Sequence, residues 1–242
     1  MKKEIENLTK NFKNFFKETG AKKVILGISG GVDSAVTLQI LLQAIGKEKI
    51  FGLLLPHRDF SSLENLNDAR ELAKKAKINF KEIEISPFCN QFFKLDFCQK
   101  KMVRGNLMAR IRANLLFTAA NHYSGIVAGT GNKTEILLGF FTKFGDGAVD
   151  CEILGEIWKT EVFAMAKIFD LTKIAKKSPT AELFTGQTDE NEIGANYLEI
   201  DKILQKILLG NFSAKNEVEK NIFERFKNNS HKRNLPTIIS KN

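Results

Sequence analysis

No stretch of this 242-residue chain is apolar for long enough to span a membrane. Its first residues, Met1-Lys2-Lys3-Glu4-Ile5-Glu6, lack the apolar centre of a secretory signal. Cysteine is scarce: Cys89, Cys98 and Cys151 are odd in number and never spaced as CxxC. That argues against a disulfide scaffold or a cysteine-built zinc site, and it predicts a reducing cytoplasm. The thiols then serve as small apolar side chains. There is no internal repeat and no low-complexity tract. Acidic residues are outnumbered, giving a net charge of +9 and a pI near 9.4. The lysines are scattered and never gather into a long run, which favours small polyanions over nucleic acid as partners.

The densest pattern lies at residues 24–45. Residues 24–28 form a continuous apolar run after two lysines, which predicts a strand buried on both faces of a parallel sheet. Residues 35–45 carry apolar side chains at helical spacing and stop before Gly46. Between them stands Ser29-Gly30-Gly31-Val32-Asp33-Ser34. Two glycines permit a tight turn with outward N–H groups, and the following helix adds the positive end of its dipole. Ser29 and Ser34 add hydroxyls. Asp33 suits an anion site when a divalent cation stands between it and phosphate oxygens. The pattern reads as a nucleoside triphosphate and magnesium site. A plain glycine turn capped by Asp33 or Ser34 is the alternative.

The rest of the chain alternates. An amphipathic helix is predicted at 4–19, with Gly20 as its stop. Strands are predicted at 50–55, 80–85 and 125–128, with a last one within 148–154. Helices are predicted at 62–76, 88–99, 101–120, 156–169, 190–209 and 214–228. This predicts an α/β fold: a doubly wound parallel sheet of about five strands, helices on both faces, in one domain over residues 1–242. Arg58 follows the second strand at the sheet edge where ligands bind, as a phosphate contact or a solvated loop arginine. Arg104, Arg110 and Arg112 lie on a mostly apolar helix and call for anionic partners, or else point to water. Gly129-Thr130-Gly131-Asn132-Lys133-Thr134-Glu135 is a second small-residue loop at a strand end. It predicts one site shared by adjacent strand tips. Glu135 is then a second carboxylate for the metal, or simply a first-turn glutamate. Lys143, Asp146 and Asp150 lie among aromatics and glycines, which suits an aromatic ring bearing polar groups. Residues 180–188 read as a lid that excludes water, or as an ordinary loop. Ser230-His231-Lys232-Arg233 is a short basic cluster.

The hexapeptide resembles the pyrophosphate loop of the ATP pyrophosphatases; no Gly-Lys-Ser/Thr follows it, as a Walker loop would require. Further motifs follow in order: Gly105-Asn106 with Ala109-Arg110, the 129–135 loop, Thr142-Lys143-Phe144-Gly145-Asp146-Gly147 and Lys159-Thr160. Gly186-Gln187-Thr188-Asp189-Glu190 and His231-Lys232-Arg233 complete the series. Together they make nearly the whole chain resemble NAD synthetases. The resemblance implies that ATP adenylates the nicotinate carboxylate of deamido-NAD with release of pyrophosphate. Ammonia then displaces AMP to give NAD. It implies ATP on Ser29, Gly30, Gly31, Val32, Asp33, Ser34, Ala35, Val36, Thr130, Lys159 and Thr180. It implies magnesium on Asp33 and Glu135, and catalysis by Asp33, Lys159 and Glu135. Deamido-NAD would be held by Arg110, Lys143, Asp150, His231 and Lys232, near the interface of a homodimer. No upstream glutaminase domain is present, which predicts free ammonia as nitrogen donor. Phe117 and Phe144 stand where many relatives have tyrosine, and Ile153 where proline is common. A tRNA-modifying pyrophosphatase and a non-catalytic nucleotide sensor are the alternatives. The lack of CxxC weighs against the first and the two intact carboxylates against the second.

Overall fold

The computed structural model describes residues 1–178, 180, 189–210 and 212–240. Helix α1 (Lys2–Thr19) packs Ile5, Phe12 and Phe16 inward and is closed by Gly20 in the left-handed region, φ 67°. Then come β1 (Lys23–Gly27), α2 (Val32–Ile45), β2 (Ile50–Leu54), α3 (Leu63–Lys75) and β3 (Asn79–Glu82). Next are α4 (Ser86–Phe92), α5 (Lys101–Tyr123), β4 (Gly125–Gly129), α6 (Lys133–Leu138) and β5 (Cys151–Glu152). The chain continues through α7 (Lys159–Ile168), α8 (Thr172–Ala175), α9 (Asp189–Ile193), α10 (Tyr197–Leu208) and α11 (Glu217–Asn228).

The five strands are parallel, in the order β3-β2-β1-β4-β5. Ile25 of β1 pairs with Phe51 of β2 on one side and Val127 of β4 on the other. As the centre of the sheet, β1 buries Val24, Ile25 and Leu26 completely. Val24 and Leu26 join one apolar cluster with α1, α2 and α7, while Ile25 joins Met108 and Ile111 of α5 on the other face. Each such side chain contributes about 1.5–3 kcal/mol. A third cluster joins Leu138, Ile193, Ile200, Leu204 and Ile222, from α6, α9, α10 and α11. After β1 the chain builds outward through β2 and β3, then returns to β4 on the opposite side. In open parallel sheets, ligands enter the crevice beside such a reversal, at the carboxyl ends of the strands.

Several boundaries differ from the sequence reading. Helix α2 begins at Val32, so Asp33 lies in its first turn. The last strand is only two residues long. Asp150 accounts for this: its backbone N–H donates to Val127 O (3.0 Å) and its Oδ2 accepts from Val127 N (2.7 Å), so a side chain replaces one rung of the ladder. The strand expected at 80–85 stops at Glu82 and turns into α4. Helix α7 starts only at Lys159, where Glu161 Oε2 accepts from Trp158 N (2.9 Å). The single helix expected at 190–209 is two. Gly194 (φ 89°) breaks it and Asn196 caps the second, accepting from Glu199 N at 3.0 Å. The lid expected at 180–188 lies, beyond Thr180, outside the described residues.

Candidate active site

Two loops meet at the tips of β1 and β4. In the first, Gly30 has φ +81°, and a Cβ there would stand 2.1 Å from the Asn65 carbonyl oxygen. Only glycine fits this conformation so close to α3. The loop closes on itself through its serines. Gly31 N donates to Ser29 Oγ (3.2 Å), and Ser34 Oγ donates to Gly31 O (3.0 Å). In the second loop, Asn132 is fully buried. Its Oδ1 accepts from Glu135 N (3.0 Å), capping α6, and its Nδ2 donates to Asp33 Oδ1 (2.9 Å). That bond joins residues 99 positions apart and ties the two loops together.

Lys159 completes the junction. It is 2% exposed, and its Nζ lies 2.6 Å from Asp33 Oδ2 and 2.8 Å from Glu135 Oε1. The Tyr197 ring centroid is 5.1 Å from the same nitrogen. Burial alone would pull this lysine's pKa down, but the Asp33 and Glu135 carboxylates outweigh it and hold the ammonium charged. Burial pushes Glu135 up, against the pull of Lys159 and with the push of Asp33. Lys159 is placed from below by Asp201 of α10. Thr134 Oγ1 accepts from Lys159 N (2.9 Å) and donates to Asp201 Oδ1, while Asp201 Oδ2 accepts from both Thr160 N and its hydroxyl. Asp189 adds a third carboxylate nearby. Its Oδ2 accepts from Tyr197 OH (2.8 Å), and its Oδ1 is buried with no hydrogen-bond partner among the described residues. Burial raises its pKa too.

Two adjoining cavities, about 580 and 180 Å³, share Ser29, Gly31, Thr130, Asp146 and Thr180 in their walls. The smaller is polar and holds Asp33, Glu135, Lys159 and Asp189. The larger has apolar walls, including Ile28, Leu55, Met102 and Phe141, with Arg112 and Lys232 at fixed points. Such a mixture suits a ring system with a few polar substituents. Asp146 opens into this space and caps its own loop, accepting from Thr142 N at 2.9 Å; desolvation raises its pKa.

The structure brings Ser29, Gly31, Val32, Asp33, Ser34, Thr130, Glu135, Lys159 and Thr180 onto one cavity wall. Ala35 and Val36 are instead fully buried in the apolar core, and Ala35 N–H is spent on Gly31 O within the helix. Lys232 lines the larger cavity, donating to Gly139 O (2.7 Å) and Phe141 O (2.9 Å). Arg110, Lys143 and His231 form a chain beside it: Arg110 donates to Lys143 O (3.3 Å), and Lys143 Nζ to His231 O (2.9 Å). These three and Asp150 stand outside the cavity walls, next in sequence to the lining residues Ala109, Thr142 and Lys232 or at the edge of the sheet. Each arginine of α5 donates to a backbone carbonyl oxygen, Arg110 to that of Lys143, and the Arg112 charge also acts on the Asp146 carboxyl. Arg104 donates to Cys98 O and Arg112 to Leu55 O. Arg58 is not at the site: it pairs with Glu84 at 3.1 Å on the surface.

Asn132, Asp189 and Asp201 were not singled out from the sequence for these roles. The signal available was an aspartate on the otherwise apolar face Ile200-Asp201-Lys202-Ile203-Leu204, which burial makes costly unless it is used.

Known proteins bear on this geometry. The profile of the NAD synthase family matches residues 4–236. An NH3-dependent NAD+ synthetase from Thermoplasma acidophilum is 40% identical over 222 residues, 91% of each chain. Among solved structures, an NMN synthetase from Francisella tularensis superposes with a TM-score of 0.90 at 32% identity, covering 98% of both chains. An NH3-dependent NAD synthetase from Campylobacter jejuni gives 0.81 at 30% identity, covering 99% of this chain and 98% of its own. The match runs through both loops and the lysine between them, and on that basis the chain belongs to the NAD synthase family.

Proposed function

We propose that this chain makes NAD from deamido-NAD, ATP and free ammonia, releasing AMP and pyrophosphate. The observation that carries the reading is the convergence of Asp33 and Glu135 on one cationic nitrogen beneath two glycine-rich loops. Magnesium fits there. Two carboxylate oxygens already surround a positive charge, and magnesium commonly takes one or two carboxylates together with substrate phosphates and water. Asp189 Oδ1, buried without a hydrogen-bond partner among the described residues, adds to that negative field. Among the described residues no group of three or more His, Cys, Asp or Glu is placed to hold a metal ion by itself. When bound, the ion would neutralise charge on the β- and γ-phosphates as pyrophosphate departs.

The chain's own groups supply the rest. The Ser29-to-Ser34 turn presents N–H and hydroxyl donors at the start of α2 to the phosphates. Among the described residues Lys159 has two carboxylate acceptors for three N–H bonds, which leaves one donor for a phosphoryl oxygen. Lys232 and Arg112 place positive charge in the larger cavity for the acid substrate. These fixed charges aim at oxygens that become more negative as the acyl adenylate forms, the kind of arrangement that dominates phosphoryl and acyl-group activation. Ammonia then adds to the activated carbonyl, and AMP leaves with the bond's electron pair.

We further read the chain as one domain acting as a cytoplasmic homodimer, with no nucleic-acid or membrane partner. No helix among the described residues is long and apolar enough to cross a membrane. Exposed apolar side chains from α4 to the start of α5, among them Phe88, Phe92, Phe97 in the turn between the two helices and Met102, support the dimer. A second reading, amidation of the mononucleotide, is favoured by the TM-score of 0.90 to the Francisella NMN synthetase. One experiment decides. The protein is incubated with ATP, magnesium and ammonium, with deamido-NAD or nicotinate mononucleotide, and products are read by mass spectrometry. NAD from the dinucleotide at the higher kcat/KM is expected. Preference for the mononucleotide would establish the second reading, and absence of AMP with either would refute both.

A further inference from the structure

We infer that Lys177 is a positioning residue of the phosphate loop, holding the Gly30–Gly31 peptide in its anion-binding orientation; this rests on the reading of the 29–34 turn as the phosphate site. Lys177 is mostly buried and lines the smaller cavity. Its Nζ donates to Gly30 O (3.0 Å), Asp68 Oδ2 (2.8 Å) and Asn65 Oδ1. An ammonium has three N–H bonds and no acceptor, so these three contacts saturate it. Unlike Lys159, it therefore has nothing left to give a phosphate. Its contribution is to what it grips.

Gly30 needs that grip. It sits at φ +81° beside a second glycine, so little steric barrier opposes rotation of the peptide between them. In a trans peptide the carbonyl and the N–H point in opposite directions. With Gly30 O fixed on Lys177, Gly31 N–H is turned the other way and donates to Ser29 Oγ, and both residues line the cavity. If the peptide turned over, a carbonyl oxygen would face the phosphates and the N–H would meet an ammonium. Both exchanges are repulsive. Asp68 of α3, 3% exposed, anchors the device, pairing with Lys177 and also with Lys173 at 2.6 Å. Lys173 is 70% exposed, and its recorded bonds end at Asp68. It is the internal control: same aspartate, no contact recorded with the loop.

The test measures pyrophosphate binding by calorimetry, with magnesium present, and KM for both substrates in full-length protein. Lys177→Met is expected to weaken pyrophosphate binding and raise the ATP KM by about tenfold or more, the scale of losing a charged hydrogen bond. The KM of the acid substrate should change less than about twofold, and Lys173→Met should leave both within about twofold. Lys177→Arg, which keeps charge and donors, should recover part of the loss. Equal pyrophosphate binding by folded Lys177→Met and wild type would overturn the inference. So would an equal loss in Lys173→Met, since that makes the Asp68 cluster a stabilising feature only. If Lys177→Met does not fold, Lys177→Gln reads the same quantity, and failure of both to fold likewise overturns it. Should wild type itself not bind pyrophosphate, it is the phosphate-site reading that fails.

Discussion

The two cavities differ in how their polar groups are spent. In the smaller one, Lys159, Asp33, Glu135 and Asn132 engage one another at 2.6–3.0 Å, and the ammonium between the carboxylates is almost wholly buried. In the larger one the walls are mainly apolar, and the charged groups at its edge, Arg110, Lys143 and Lys232, lean on backbone carbonyls. One region is built in advance for charge; the other offers shape and leaves its cations able to exchange a carbonyl for a ligand. Preorganised charge should therefore show in turnover and stability, and the rim in substrate affinity.

The strongest challenge to that contrast is Lys159→Met. It leaves two carboxylates facing each other without a counter-ion, and breaking a buried pair this way costs about 3–5 kcal/mol. Urea unfolding at pH 7 should register the loss, and added magnesium should restore part of it. Next is Asp33→Asn, which keeps Lys159 paired with Glu135 and should preserve the fold by circular dichroism. Turnover, followed by pyrophosphate release, should fall at least about a hundredfold; near-normal rates would remove Asp33 from the catalytic group. At the rim, Lys232→Met should raise KM for the acid substrate about tenfold with the ATP KM within about twofold, an effect near 1.4 kcal/mol. If ATP affinity moved instead, the division of labour would be wrong.

The smallest effect concerns pH. Burial pushes Glu152, beside the second loop, up to about 8, while its Oε2 accepts from Gly131 N at 2.9 Å. A carboxyl whose folded pKa exceeds its unfolded value near 4.5 contributes stability below that value. The contribution is lost as pH rises through about 8. Glu152→Gln does not ionise, so its melting temperature should fall less than that of wild type between pH 5 and 8.5. The difference should reach about 1–2 kcal/mol once solvent screening is allowed for. Parallel curves would mean Glu152 is ionised throughout.

Much of this was legible in the residues. The apolar run at 24–28, two glycines and an acid predicted β1, its loop and a helix after it, because a strand buried on both faces leaves a continuous apolar run where a half-exposed strand alternates; the helix itself starts three residues earlier than expected, at Val32. The second loop was legible for the same reason. What escaped depends on distance in the chain. Asp201 serves Thr134 and Thr160 from another helix, and Asn132 serves Asp33 across 99 positions. Local patterns carry no trace of such partners. For Arg58 the second of its two readings holds, a solvated loop arginine, because a loop at the correct edge of the sheet says nothing of Glu84, which takes it. The extra length given to the last strand had a similar origin: the residues at 148–154 do not reveal that Asp150 uses its side chain in place of backbone.

The sheet's borders have a consequence for crowding. β3 is four residues long and includes Lys81 and Glu82, and β5 is two. Neither margin offers a stranger's backbone more than a few rungs, so growth of the sheet from molecule to molecule has almost nowhere to begin. Copies that meet are left to do so through side chains, and a concentrated solution should be slow to form fibres.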